Sequence, residues 1–174
     1  MEALYADARL PRITADVRRA FTASRARRVV SDKRTGLAIP RLAKPWKTYG
    51  AAPFTSKQVL PKLHGRKERG MVVTCPLPIE VQKDPRDTAL LAARWTLNHH
   101  PRGAKVRWVG SQAIKGGWAL VYRVSYGKRS SLAAVAVVDT GMAKPALTFA
   151  TVPDTQRKSW RDVTRVIAGL RVLG

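Results

Sequence analysis

The sequence predicts an α+β domain in which helices flank a curved antiparallel β-sheet, and three observations carry that reading. Between residues 105 and 152 apolar side chains recur with a period of two in four segments, the spacing of half-buried strands. The links between those segments are short and glycine-rich, as antiparallel neighbours require. On both sides of the run the apolar period lengthens to that of a helix.

Taken in order, residues 1–30 hold seven arginines and read as a basic N-terminal helix or stalk ahead of a single α+β domain over 31–174. Thr14 is placed to cap a helix over 15–28, with Val17, Phe21 and Ser24 on one thin face. From 31 to 70 there are ten Lys and Arg against two acids, with prolines at Pro40, Pro45, Pro53 and Pro61. That composition predicts loops, interrupted by a turn over 32–36 and a short strand over 37–39 that Pro40 ends. An exposed basic loop over 62–70 then leads to a buried strand over 71–75.

Asp84-Pro85-Arg86-Asp87 reads as a helix start, since acids there meet the positive end of the helix dipole. The helix runs on to His99 with Leu91, Trp95 and Asn98, flanked by Leu90 and Leu97, as its stripe, and Pro101 and Gly103 stop it. Four strands follow over 105–111, 118–126, 131–139 and 146–152, forming a C-terminal meander. On the second of them Trp118, Leu120, Tyr122, Val124 and Tyr126 share a face. The other face, with Ala119, Val121, Arg123 and Ser125, is mixed enough that a further layer should cover part of it. Ser159 is placed to cap a last helix with Trp160, Val163, Ile167 and Leu170 inward.

Charge is the outlier: 33 Lys and Arg stand against 11 Asp and Glu among 174 residues, a formal +22. A field of that size concentrates anions at the surface, so the expected partner is a polyanion. Nucleic acid, an anionic lipid leaflet and an anionic cell-wall polymer all satisfy it. The basic residues are densest at Arg25, Arg27, Arg28, Lys33 and Arg34, continuing through Arg41, Lys44 and Lys47 to Lys57, Lys62, Arg66, Lys67 and Arg69. These thirteen are the candidate polyanion-binding residues, with Trp46 and Tyr49 interleaved where they could stack on bases or rest at a lipid interface.

Little in the sequence points to bond-making chemistry. The single cysteine, Cys75, excludes an internal disulfide and a zinc site built on several thiolates, and its apolar run makes it a small buried hydrophobe. His99 and His100 are adjacent, so on a helix they point about 100° apart and chelate poorly; a histidine in a last helical turn instead meets the negative dipole end. Asp84 and Asp87 sit where helix-start acids belong. Gly127-Lys128-Arg129-Ser130 departs from a nucleotide phosphate loop, because Tyr122 stands where its first glycine belongs and Arg129 where its magnesium-holding hydroxyl belongs. No stretch approaches the roughly 20 apolar residues of a membrane span, and no cofactor or metal site is expected.

Thr35-Gly36-Leu37-Ala38-Ile39-Pro40, then Lys44-Pro45-Trp46, resembles the opening of PsbP-like domains, including the LpqN-type lipoproteins of high-GC Gram-positive bacteria. The ending, Phe149-Ala150-Thr151-Val152-Pro153-Asp154 and the helix from Trp160, is similar too, so the resemblance covers about residues 32–173. It implies an α/β/α sandwich around a curved antiparallel sheet, usually outside the cytoplasm and generally binding partners without catalysing reactions. The chain also looks like exported proteins of uncharacterised function from the same bacteria. It departs from the group in lacking a lipobox cysteine at the start and in being far more basic, and no functional residue carries over.

The reading that follows is a non-catalytic extracytoplasmic binding or accessory domain, secreted or tethered by an N-terminal segment absent from this chain. It would associate electrostatically with an anionic envelope component, membrane lipid or cell-wall polymer, or with a partner protein. The alternative is a cytoplasmic protein that binds nucleic acid non-specifically. An enzyme would instead show a deep cavity where His64, His99 or His100 meets a carboxylate with a shifted pKa.

Overall fold

The computed structural model describes residues 6–13 and 19–174, and among them the chain forms ten strands and two α-helices. Strands β1 (Val29–Asp32), β2 (Leu37–Pro40) and β10 (Arg171–Val172) make a small antiparallel sheet in the order β1-β2-β10. Seven more make the main sheet: β3 (Lys47–Thr48), β4 (Ser56–Val59), β5 (Met71–Pro76), β6 (Lys105–Ile114), β7 (Gly117–Tyr126), β8 (Arg129–Val138) and β9 (Ala146–Pro153). Their order is β3-β4-β5-β9-β8-β7-β6, and each neighbouring pair is antiparallel. The expected meander is β6 to β9, with β5 paired on its far side.

Helix α1 (Pro85–Thr96) packs on one face of the main sheet against β7 and β8, and α2 (Trp160–Ala168) packs on the other against β8 and β9. Strand alternation explains why both are needed. Leu120, Tyr122 and Val124 of β7 enter the core under α1, while Ala119 and Val121 enter the core under α2. The mixed face read from the sequence is therefore covered, by Val163, Val166 and Ile167 of α2. Strand β9 is buried along its whole length, the signature of a strand covered on both faces.

Four expectations need correction. Residues 14–18 of the anticipated N-terminal helix lie outside the described residues, and 19–28 form no helix. Tertiary bonds take the backbone groups a helix would use: the amides of Ala20 and Phe21 donate to Gln112 Oε1 at 2.9 and 3.3 Å, and Gln112 Nε2 donates to the Phe21 carbonyl at 3.2 Å. Nearby, the Val106 amide donates to the Arg9 carbonyl at 2.7 Å, and Leu10 is buried. These contacts lay the described N-terminal residues along the outer border of β6.

The stripe of α1 is centred on its expected flanks, Leu90 and Leu97, and not on Leu91, Trp95 and Asn98. Ala89, Leu90, Ala93 and Leu97 are buried, whereas Leu91 and Trp95 are half-buried and Asn98 is exposed. Alanines bring the helix close to the sheet, and side-chain size misplaced the face. Asp84 caps the helix as anticipated, accepting from the Arg86 amide at 2.8 Å, but Ser159 makes no cap hydrogen bond at α2. Finally, the proline-rich stretch read as loops contains β3 and β4. Gln58 on β4 is buried because its carboxamide accepts from the Leu42 amide and donates to the Pro40 carbonyl, both at 2.9 Å. A polar residue satisfied in this way leaves no apolar periodicity to detect.

Candidate anion-binding cleft

The described end of the N-terminal segment, residues 24–28, runs beside β2 and the C-terminal end of α2. The Ser24 amide donates to the Ala168 carbonyl and the Arg41 amide to the Arg28 carbonyl, both at 2.9 Å. Gly169 permits this approach, since a Cβ there would lie 2.5 Å from Pro40 Cγ. Beyond Pro40 the chain is pinned by Gln58 and by Trp46, which is buried and donates from Nε1 to Asp162 Oδ2 at 2.9 Å.

These constraints leave a cleft of 960 Å³ whose lining includes Arg25, Arg27, Arg28, Arg41, Lys44, Lys47 and Arg165. Its floor is in part apolar, with Ala26, Pro40, Leu42 and Trp46. The adjacent carboxylate, Asp162, is already engaged by Trp46 and by Arg165 Nη1 at 3.3 Å. Six of the thirteen candidate residues thus converge.

The other seven do not join them. Lys57, Lys67 and Arg69 border a separate cavity of 280 Å³ beside His99 and His100. Lys57 and Arg69 also flank the exposed Tyr49 ring, at 5.9 and 5.5 Å from its centre. Lys33 and Arg34 occupy the β1–β2 turn, and Lys62 and Arg66 the exposed loop over 61–68. Of the two interleaved aromatics, Trp46 belongs to the core and Tyr49 is free to meet a ligand. Sequence reasoning missed Arg165, which lies far along the chain and reaches the cleft because α2 ends against β2. Its only local signal was a position on the polar side of the last helix.

His99 and His100 are held by ring packing, whereas His64 is exposed in the loop over 61–68. The His99 ring sits 4.9 Å from Trp95 and 5.9 Å from Phe149. His100 Nδ1 lies 3.1 Å from the Thr96 carbonyl, so it is the protonated nitrogen, and Nε2 accepts from Thr151 Oγ1 at 3.1 Å. Burial pushes its pKa down to about 4, which corrects the expected charge–dipole role: the ring is neutral near pH 7. It meets a carbonyl and a hydroxyl, not a carboxylate.

A depressed histidine pKa means the unfolded chain binds the extra proton first. His100 therefore supports the fold above pH 6.5, and that support falls as the pH drops toward 4. Thermal melting should show about 2 kcal/mol lost between pH 7 and pH 5, with His100→Gln flattening the profile. An unchanged profile in the variant would assign the acid sensitivity elsewhere.

Cys75 is half-buried, and burial together with the charge of Asp32 pushes its thiol up to about 11, away from thiolate chemistry. Among the described residues no group of three or more His, Cys, Asp or Glu could hold a metal ion, and no helix is long and apolar enough to cross a membrane.

The layered arrangement, two helices against opposite faces of an antiparallel sheet, is an α/β/α sandwich, the architecture that the resemblance to PsbP-like domains implies. Among solved structures it is shared with LpqN of Mycobacterium tuberculosis, a protein involved in cell envelope biogenesis. That match has a TM-score of 0.50 at 15% sequence identity over 78% of this chain and 82% of LpqN. PsbP (CyanoP) of the cyanobacterium Synechocystis sp. PCC 6803 is similar at a TM-score of 0.49 and 18% identity, over 83% of this chain and 91% of CyanoP. No family model matches the chain, and no curated protein does.

Proposed function

We propose that this chain is a non-catalytic accessory domain of the extracytoplasmic envelope that associates with anionic membrane lipid through the cationic cleft. The observation that carries the reading is the convergence of seven Lys and Arg on one 960 Å³ cleft whose neighbouring carboxylate is already engaged. The fold shared with an envelope-biogenesis protein supports the extracytoplasmic placement. Each basic group near an anionic leaflet contributes about 1 kcal/mol, so a handful gives useful, salt-sensitive affinity.

Vesicle cosedimentation tests it. The chain should pellet with phosphatidylglycerol-containing vesicles and not with phosphatidylcholine alone, and pelleting should fade as salt is added. Neutralising two cleft residues, Arg27→Gln with Arg41→Gln, should weaken binding roughly 30-fold. Equal pelleting with neutral vesicles would sink the reading. Retardation of duplex DNA at physiological ionic strength, without vesicle binding, would transfer the cleft to the nucleic-acid alternative.

A further inference from the structure

We propose that the end of the main sheet formed by β6, β7 and the β7–β8 turn is a second anion site, built for a phosphate group carrying two charges. Arg107 on β6 and Arg123 on β7 are directly opposed in the strand register. Residues so paired have Cβ atoms roughly 5 Å apart, and like charges there repel. Together with Ser125, Gly127, Lys128 and Ser130 they line a cavity of 380 Å³.

Among the described residues no carboxylate lies within ion-pair distance of Arg107, Arg123 or Lys128. Asp154, the acid beside the turn, is engaged by Arg129 Nε at 2.9 Å and by the Ser130 amide at 3.1 Å. Arg123 is held in place: its guanidinium lies 4.8 Å from the centre of the Trp160 ring, which Arg157 also covers at 4.6 Å, and its Nη2 donates to Ser130 Oγ at 3.3 Å. A fixed planar fork of this kind suits an oxyanion, and an oxyanion placed between the three cations relieves their repulsion. The turn lacks both the leading glycine and the magnesium-holding hydroxyl of a nucleotide loop, so the chemistry fits a lone phosphate group. The cleft and this site share no lining residue.

The test is an amide NMR titration of the whole chain with inorganic phosphate and with glycerol 3-phosphate, against chloride at matched ionic strength. Saturable shifts are expected at Gly127, Lys128 and Ser130 with either phosphate compound, and Arg107→Gln should weaken them about tenfold. A preference for the ester would identify a phosphorylated molecule as the ligand; equal binding would identify free phosphate. Arg107 is exposed, so the substitution spares the core. Melting gives a second readout: at low salt without phosphate, Arg107→Gln should melt above the wild type, because one repelling charge is gone. Chloride reproducing the shifts, identical titrations of variant and wild type, or a variant that melts lower at low salt, would each overturn the site.

Discussion

Replacing Gly117 by alanine should prevent stable folding of the main sheet, with a loss of about 4 kcal/mol or more. Gly117 opens β7 opposite Val138 of β8. A Cβ there would lie 1.7 Å from the Val137 carbonyl oxygen and 2.8 Å from its carbon. Both are backbone atoms, so no rotamer change relieves the clash; β7 and β8 must separate and give up ladder hydrogen bonds. Gly50→Ala is the control, because a Cβ at Gly50 meets nothing within 4 Å. Circular dichroism melts of the two variants should differ sharply, and a Gly117→Ala protein that melts with the wild type would refute the close approach.

Asp32→Ala should cost about 3 kcal/mol, roughly 10 °C in Tm for a chain of this length. Asp32 ends β1 and is buried, yet it has no cationic partner among the described residues. Its carboxylate accepts from Thr55 Oγ1, from Thr74 Oγ1 at 2.6 Å and from the Arg34 amide at 3.1 Å. It thereby joins the small sheet to β5 of the main one. Burial alone would raise its pKa, but the hydrogen bonds from Thr55, Thr74, Thr35 and the Arg34 amide outweigh burial and hold it below the ordinary carboxylate value. The sign follows: this support is present above the unfolded-state pKa near 3.8 and is lost as pH falls through the lower folded value. Asp32→Asn keeps the volume and one acceptor, so it should fall between alanine and wild type. An alanine variant within 1 °C or so of the wild type would show that the junction contributes little.

The C-terminal half was legible because its strands are long, alternate cleanly and turn at glycines. Trp118 to Tyr126 announces its inward face in every second residue, and the mixed opposite face of Ala119, Val121 and Arg123 announced a second layer. The N-terminal half was not, for two physical reasons. Gln58, Thr74 and Asp32 are buried polar groups satisfied by partners distant in sequence, so they read locally as surface. The small sheet pairs Val172 with Leu37, joining near-opposite ends of the chain through a register that no local pattern carries. The cleft was half legible: charge density singled out Arg25 to Lys47, but it could not separate them from Lys57 to Arg69, which the β4–β5 hairpin carries elsewhere.

The guarded borders of the main sheet bear on the proposed association with an anionic surface. At one border the chain around Arg9 and Phe21 occupies β6 through Val106 and Gln112; at the other, β3 is only two residues long and carries Lys47. Unpaired strand edges invite neighbouring copies to add on, and short, charged or covered edges discourage it. Many copies can therefore crowd together at high local density without polymerising into extended fibres, each still presenting its side chains instead of its backbone.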